Sequence, residues 1–144
     1  MLVLDAAPAP SQPVPPFVAE ADRPVVLVVD DDADTRRRIA STLAGAGWSV
    51  RQAADGEQAL LLAREHVPEL ILLNLALPGV SGLEVLRTLK RWTDQPTRVV
   101  VVSFYAGLMR LPDLRLADGV VQKPFAAADL LAEVARVSPA ASMP

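Results

Sequence analysis

The 144-residue sequence has no cysteine, which excludes a disulfide-stapled miniprotein and is compatible with a reducing compartment. It has no long apolar run. The longest are residues 25–29, 70–73 and 99–102, far short of the roughly 18–20 residues that span a bilayer. No positively charged segment opens the chain, and Asp5 interrupts its first apolar residues, so no signal peptide or membrane anchor is expected. There is also no excess of basic residues. Fourteen Lys and Arg against 17 Asp and Glu give a net charge of −3, and nothing global points to nucleic acid. Histidine occurs once, as His66, near the end of an expected helix. No nucleophile pairs with it in the sequence, which argues against a catalytic role.

What is present is aliphatic. Hydrophobic residues make up 51% of the chain and charged residues 22%, enough for one sizeable core and too apolar for a wholly disordered chain. Six of the 13 prolines fall within residues 1–24, which are expected to form a Pro-rich disordered tail, a spacer more readily than a docking segment. That tail carries Asp5, Glu20 and Asp22 against Arg23, a net of −2. Residues 138–144 read as a short C-terminal tail.

Between the tails, residues 25–137, strand and helix patterns alternate. Residues 25–29, 70–73 and 99–102 are continuous aliphatic runs, as expected of strands buried on both faces. Residues 48–53 alternate as a half-buried edge strand, and 119–122 form a short last strand. Helices are expected over 34–46, 57–66, 83–91 and 127–137, the third opened by the capping pattern Ser81–Glu84. Residues 104–117 are a broken or compact helix, because Pro112 interrupts an apolar stretch. Its Leu108, Met109, Leu111, Leu114 and Leu116 are expected mainly in the core, with a partner-binding patch as the alternative. Trp48 and Trp92 read as partial core anchors. The order describes a doubly wound α/β sandwich with a five-stranded parallel sheet, strand order 2-1-3-4-5, whose working site lies beyond the carboxyl ends of the strands.

Chemistry concentrates at those ends. The first strand runs into Asp30, Asp31, Asp32 and Asp34, the third ends at Asn74, the fourth at Ser103, and the fifth runs into Lys123-Pro124-Phe125. One or two of these aspartates suffice to cap a helix. Three in a row at a strand end suggest a hard cation such as Mg²⁺, and Lys123 with Ser103 suits a phosphoryl-like anion.

The segments VVLVVDDDADTRRRI, LLNLALPGVSGLEVL, VVVVS and VVQKPF resemble the receiver domain of two-component response regulators over residues 24–137. The resemblance implies a flavodoxin-like, CheY-like fold and a bacterial, cytoplasmic phosphorelay protein without enzymatic turnover. By position it implies Mg²⁺ ligands at Asp30, Asp31, the residue 74 side chain and the Ala76 carbonyl. It also implies phosphoryl contacts from Ser103 and Lys123, and a switch residue at Val120. It implies a sensor histidine kinase or another signalling protein as partner, and neither membrane nor direct nucleic-acid binding; homodimerisation stays open. With seven residues after Val137, no output domain is expected within this chain.

Two departures alter the expected mechanism. The phosphoacceptor position holds Asn74, whose neutral carboxamide is a very poor nucleophile. The site charge of Asp30, Asp31 and Lys123 is then −1, against −2 with a third carboxylate, so Mg²⁺ is expected to bind weakly. Val120 stands where the family places an aromatic residue that reorients. The leading expectation is therefore a receiver that signals by binding without Asp phosphorylation, through surfaces including Arg36, Arg37, Leu108, Met109 and Leu111. An ordinary receiver carrying an Asp-to-Asn replacement is the alternative. A small Mg²⁺-dependent phosphatase-like enzyme is a remote third, since no nucleophile stands at the decisive strand end.

Overall fold

The computed structural model describes residues 23–92 and 97–138. Of the expected tails, 1–24 and 138–144, residues 1–22 and 139–144 lie outside the described residues. The elements run β1 (Val25–Val29), α1 (Ala33–Gly45), β2 (Ser49–Ala53), α2 (Gly56–Glu65), β3 (Leu70–Leu73), α3 (Gly82–Arg91) and β4 (Arg98–Ser103). A single 3₁₀ turn (Ala106–Leu108) follows, then α4 (Leu111–Leu114), β5 (Gly119–Gln122) and α5 (Ala127–Val137). All strand pairs are parallel and the order is β2-β1-β3-β4-β5, as the alternating pattern implied.

Alternate residues of the three aliphatic strands feed two cores, because side chains of a strand point to opposite faces. Val26, Val28, Leu70, Leu72, Val100 and Val102 pack with Ile39 and Leu43 of α1 and Leu130, Val134 and Val137 of α5. Leu27, Val29, Ile71, Leu73, Val99 and Val101 pack with Ala59 and Ala63 of α2 and Val85, Leu86 and Leu89 of α3. The register Val29↔Leu73 aligns the ends of β1 and β3, which is what brings residues 30 and 74 side by side.

Four local expectations are corrected. Trp48 precedes β2 and is only 3% exposed, a full member of the α1/α5 core; Trp92 is the half-buried one. Arg51 and Gln52 of β2 are both exposed, so this edge strand lacks clean alternation. Its Gln52 is turned to accept from Arg36 Nε at 3.2 Å. Pro112 does not break a helix but opens one. It lies in the first turn of α4, where the missing amide has no partner to lose. The expectation that most of the leucines around it are buried fails. Met109 and Leu116 are half-buried against the second core, whereas Leu108 is 77% exposed, Leu111 64% and Leu114 37%. A one-turn helix has too little surface to bury three such side chains.

Candidate functional site

Five strand ends form one rim, and the chemistry-bearing residues gather there. The Asp30 amide donates to Ala53 O at 3.1 Å, continuing the β1–β2 ladder one residue beyond the strand and fixing the Asp30 side chain over the sheet edge. The Asn74 amide likewise donates to Val29 O at 3.0 Å, and the Lys123 amide to Ser103 O at 3.0 Å. Backbone pairing past the strand ends thus places all three side chains before any side-chain contact is considered.

Asp30 is the centre. It is 1% exposed, and its Oδ2 meets Lys123 Nζ at 2.6 Å, an ion pair between two buried groups. Burying both charges is tolerable because each meets its counter-charge and the carboxylate has a further donor. Its Oδ1 accepts from the Asp32 amide at 3.0 Å, while its backbone carbonyl accepts from the Arg36 guanidinium at 2.8 Å. Lys123 also lies 5.5 Å from the centre of the Phe104 ring. Ser103 is fully buried, and its Oγ accepts from the Tyr105 amide at 3.0 Å.

The other aspartates have separate tasks. Asp32 is the N-cap of α1: its Oδ2 accepts from the Thr35 amide at 3.0 Å and from the Thr35 hydroxyl. Those bonds hold its carboxyl below the usual range and direct it toward the helix. Asp34 pairs with Arg37 at 2.9 Å on the exposed face of α1. Only Asp31, itself exposed, reaches toward residue 74.

Asn74 is 7% exposed. Its Nδ2 donates to Ala76 O at 2.9 Å and lies 3.4 Å from Asp31 Oδ1. Both neighbours accept only, so the NH₂ group, and not the oxygen, has to face them. The backbone here is packed without slack. A Cβ on Gly82, at the start of α3, would lie 2.0 Å from Asn74 O and 2.6 Å from Leu75 Cα. The Gly82 amide donates to Leu75 O at 2.9 Å, tying the first turn of α3 to the strand end.

A Mg²⁺ ion is what the resemblance implies at this place, and the side chains as arranged do not fit it. The amide nitrogen of Asn74 sits between the Asp31 carboxylate and the Ala76 carbonyl, two of the implied ligands. Asp30 is already paired with Lys123. Among the described residues no group of three carboxylate, histidine or cysteine side chains is placed to hold a metal.

The structure brings together Asp30, Asp31, Asn74, Ala76, Ser103 and Lys123. Val120 is half-buried in the second core, below the rim. Of the expected partner surface, Arg36 is drawn inward by Asp30 O and Gln52. Arg37 is held by Asp34, and Met109 is half-buried. Leu108 and Leu111 lie on the surface with Phe104 and Tyr105. Sequence reasoning missed Gly82 as the residue that admits the Asn74 backbone. It also missed Phe104 beside Lys123, although the position directly after Ser103 at a strand end was the available signal.

Known proteins are similar to this chain in sequence and fold. The family model for the response regulator receiver domain matches residues 26–135. The DNA-binding response regulator MtrA of Mycobacterium tuberculosis is 36% identical over 109 residues, covering 76% of this chain and 48% of that protein. The chain spans about half the length of the curated relatives it matches. Among solved structures, the chemotaxis response regulator CheY4 of Vibrio cholerae superposes with a TM-score of 0.73 at 27% identity, covering 80% of this chain and 98% of that one. The response regulator TrrA of Thermotoga maritima, crystallised with Mg²⁺ and BeF, gives a TM-score of 0.72 at 28% identity, covering 79% and 98%.

Proposed function

Because the chain belongs to the response regulator receiver domain family, whose members work in two-component signalling, we propose that it acts as a receiver that signals by protein binding without phosphorylation at position 74. One observation carries this reading. The Asn74 amide group donates to the Ala76 carbonyl at 2.9 Å and faces Asp31, spanning two of the implied ligands. A carboxamide offers no anionic nucleophile, and its NH₂ group already donates to the Ala76 carbonyl, one of the implied ligands. Lys123 neutralises Asp30 internally. Asp30, Asn74, Ser103 and Lys123 each have a partner within the chain, which favours one resting arrangement.

Val120 supports the same reading. A stiff, small, β-branched side chain half-buried in the second core cannot exchange a ring between inward and outward positions. Binding is then read through surfaces that do not depend on that exchange, chiefly the exposed Leu108 and Leu111 with Phe104 and Tyr105. The partner is a sensor histidine kinase or another signalling protein. The reading concerns the receiver alone: MtrA is named a DNA-binding regulator, and this chain matches 48% of it. Adding Mg²⁺ and beryllofluoride to ¹⁵N-labelled protein tests the reading. The amide signals of Asn74, Ser103 and Val120 are expected to stay in place; saturable shifts at all three overturn it.

A second reading has its own support. Asp30–Lys123 and the buried Ser103 retain what a phosphoryl-accepting site needs beside the acceptor itself. On that reading Asn74→Asp alone restores acyl-phosphate formation. A folded Asn74→Asp protein that stays unmodified by a small phosphodonor contradicts it.

A further inference from the structure

Helices α1 and α5 cover the same face of the sheet, and where α5 begins they leave an open cavity of about 200 Å³. One wall is a single stripe of α1. Thr35, Arg38, Ile39 and Thr42 recur at i, i+3, i+4 and i+7, which is one side of a helix. The other wall comes from beyond β4 and β5 and from the first residue of α5: Phe104, Lys123, Phe125 and Ala127. Asp31, Asn74, Ala76 and Ser103 do not line it, so it meets the site at position 74 only through Lys123.

The lining holds two cations and no carboxylate. Lys123 is committed to Asp30 at 2.6 Å. Arg38 is not bound in that way. It acts on Asp32 through its field alone, the smallest influence on a carboxyl whose hydrogen bonds go to Thr35. The Arg38 guanidinium makes no hydrogen bond or ion pair among the described residues. Both hydroxyls of the stripe already donate, Thr35 to Asp32 and Thr42 to the Arg38 carbonyl. Opposite, Phe104 is 61% exposed, and Phe125 packs only partly on the core. A guanidinium grips a carboxylate through two parallel N–H donors, and exposed rings gain by packing on another ring. An apolar cavity of about 150 Å³ holds benzene, so this one has room for a single ring bearing one carboxylate.

We propose that this cavity binds a small aromatic carboxylate, its ring against Ile39, Phe104 and Phe125 and its carboxylate on Arg38. Lys123 adds a field that favours an anion and disfavours a cation, although its own ion pair is with Asp30. Naming that anion as the input of this receiver rests on the reading that position 74 takes no phosphoryl group; the binding itself does not. A single-ring ligand in a partly open cavity is expected to bind with a Kd in about the millimolar range.

The test titrates sodium benzoate into the ¹⁵N-labelled full chain at constant ionic strength, beside neutral benzamide and cationic benzylamine. Saturable benzoate shifts are expected at Arg38, Thr42, Phe104, Phe125 and Ala127, and none at Leu61 on α2, which packs on the other face of the sheet. Benzamide is expected to bind about tenfold more weakly, and benzylamine not measurably. Arg38→Gln is expected to weaken benzoate to the level of benzamide. Arg37→Gln, which breaks the exposed pair with Asp34 outside the cavity, is expected to leave it unchanged. No saturable shift with benzoate, equal binding of the three probes, a preference for benzylamine, or the same loss in both arginine variants overturns the proposal. The beryllofluoride titration reads Asn74, Ser103 and Val120. Shifts there with benzoate binding as expected defeat the proposed function alone, and the reverse pattern defeats this inference alone.

Discussion

Replacing Asn74 by Asp changes one atom group and reverses the electrostatics of the rim. The Nδ2 that now donates to Ala76 O at 2.9 Å becomes an oxygen facing an oxygen. Its neighbour Asp31 Oδ1, at 3.4 Å, changes from an acceptor to a like charge. Two unit charges at that separation repel by about 5 kcal/mol at an effective dielectric of 20. Asp31 is exposed and can swing away, so the net loss of stability is expected at about 2–3 kcal/mol, including the lost hydrogen bond. A divalent cation would offset this repulsion, with Asp31, the introduced carboxylate and the Ala76 carbonyl as the groups that would hold it. At a concentration ten times its Kd it restores about 1.4 kcal/mol. The assay is urea unfolding of wild type and Asn74→Asp, each with MgCl₂ and with NaCl at matched ionic strength. Wild type is expected to respond little to Mg²⁺, and the variant to be destabilised without Mg²⁺ and rescued by it. Equal stability of the two proteins without Mg²⁺, or an equal Mg²⁺ response, refutes the argument that the Asn74 amide stands in for a cation.

Three further outcomes follow from the geometry. Lys123→Met leaves the buried Asp30 carboxylate unpaired and is expected to cost about 3–5 kcal/mol in denaturant unfolding, with much of it recovered in Lys123→Met/Asp30→Asn. Gly82→Ala places a Cβ 2.0 Å from Asn74 O, so the start of α3 has to shift; a loss of about 1–3 kcal/mol is expected, with amide shifts at Asn74 and Leu75 and none at Leu43. The carboxyls of Asp32, held by Thr35, of Asp113, held by Arg87, and of Glu133, held by Arg136, all lie below their usual values. Depressed carboxyls stabilise the fold above their unfolded pKa of about 4, and that contribution is lost as pH falls through the lower folded values. Thermal melting is therefore expected to weaken below about pH 4, and Asp32→Asn, which can still cap α1, to flatten that fall. An unchanged slope in Asp32→Asn speaks against the cap as a source of it.

Much of this was legible from residue order. Continuous aliphatic runs mark the central strands, and the strand-end rule places Asp30, Asn74, Ser103 and Lys123 on one rim. Periodicity located four helices to within one residue at their ends. It failed over residues 104–117, because a 3₁₀ turn and a one-turn helix are too short to show a period, and composition alone cannot tell a buried leucine from an exposed one. The division of labour among the aspartates was also hidden. Which carboxylate caps α1, which pairs with Lys123 and which faces Asn74 depends on side-chain direction, and adjacent identical residues carry no signal of it. The Asn74 substitution could be read at once, but its consequence could not. Only the distances to Ala76 and Asp31 show that the amide occupies the space between two of the implied ligands.

As proposed, this receiver takes no phosphoryl group at position 74. Incubating the wild-type chain with acetyl phosphate and Mg²⁺, then measuring its intact mass, addresses it without any partner. An unchanged mass is expected. A stoichiometric gain of one phosphoryl group, labile to hydroxylamine as an acyl phosphate is, contradicts it.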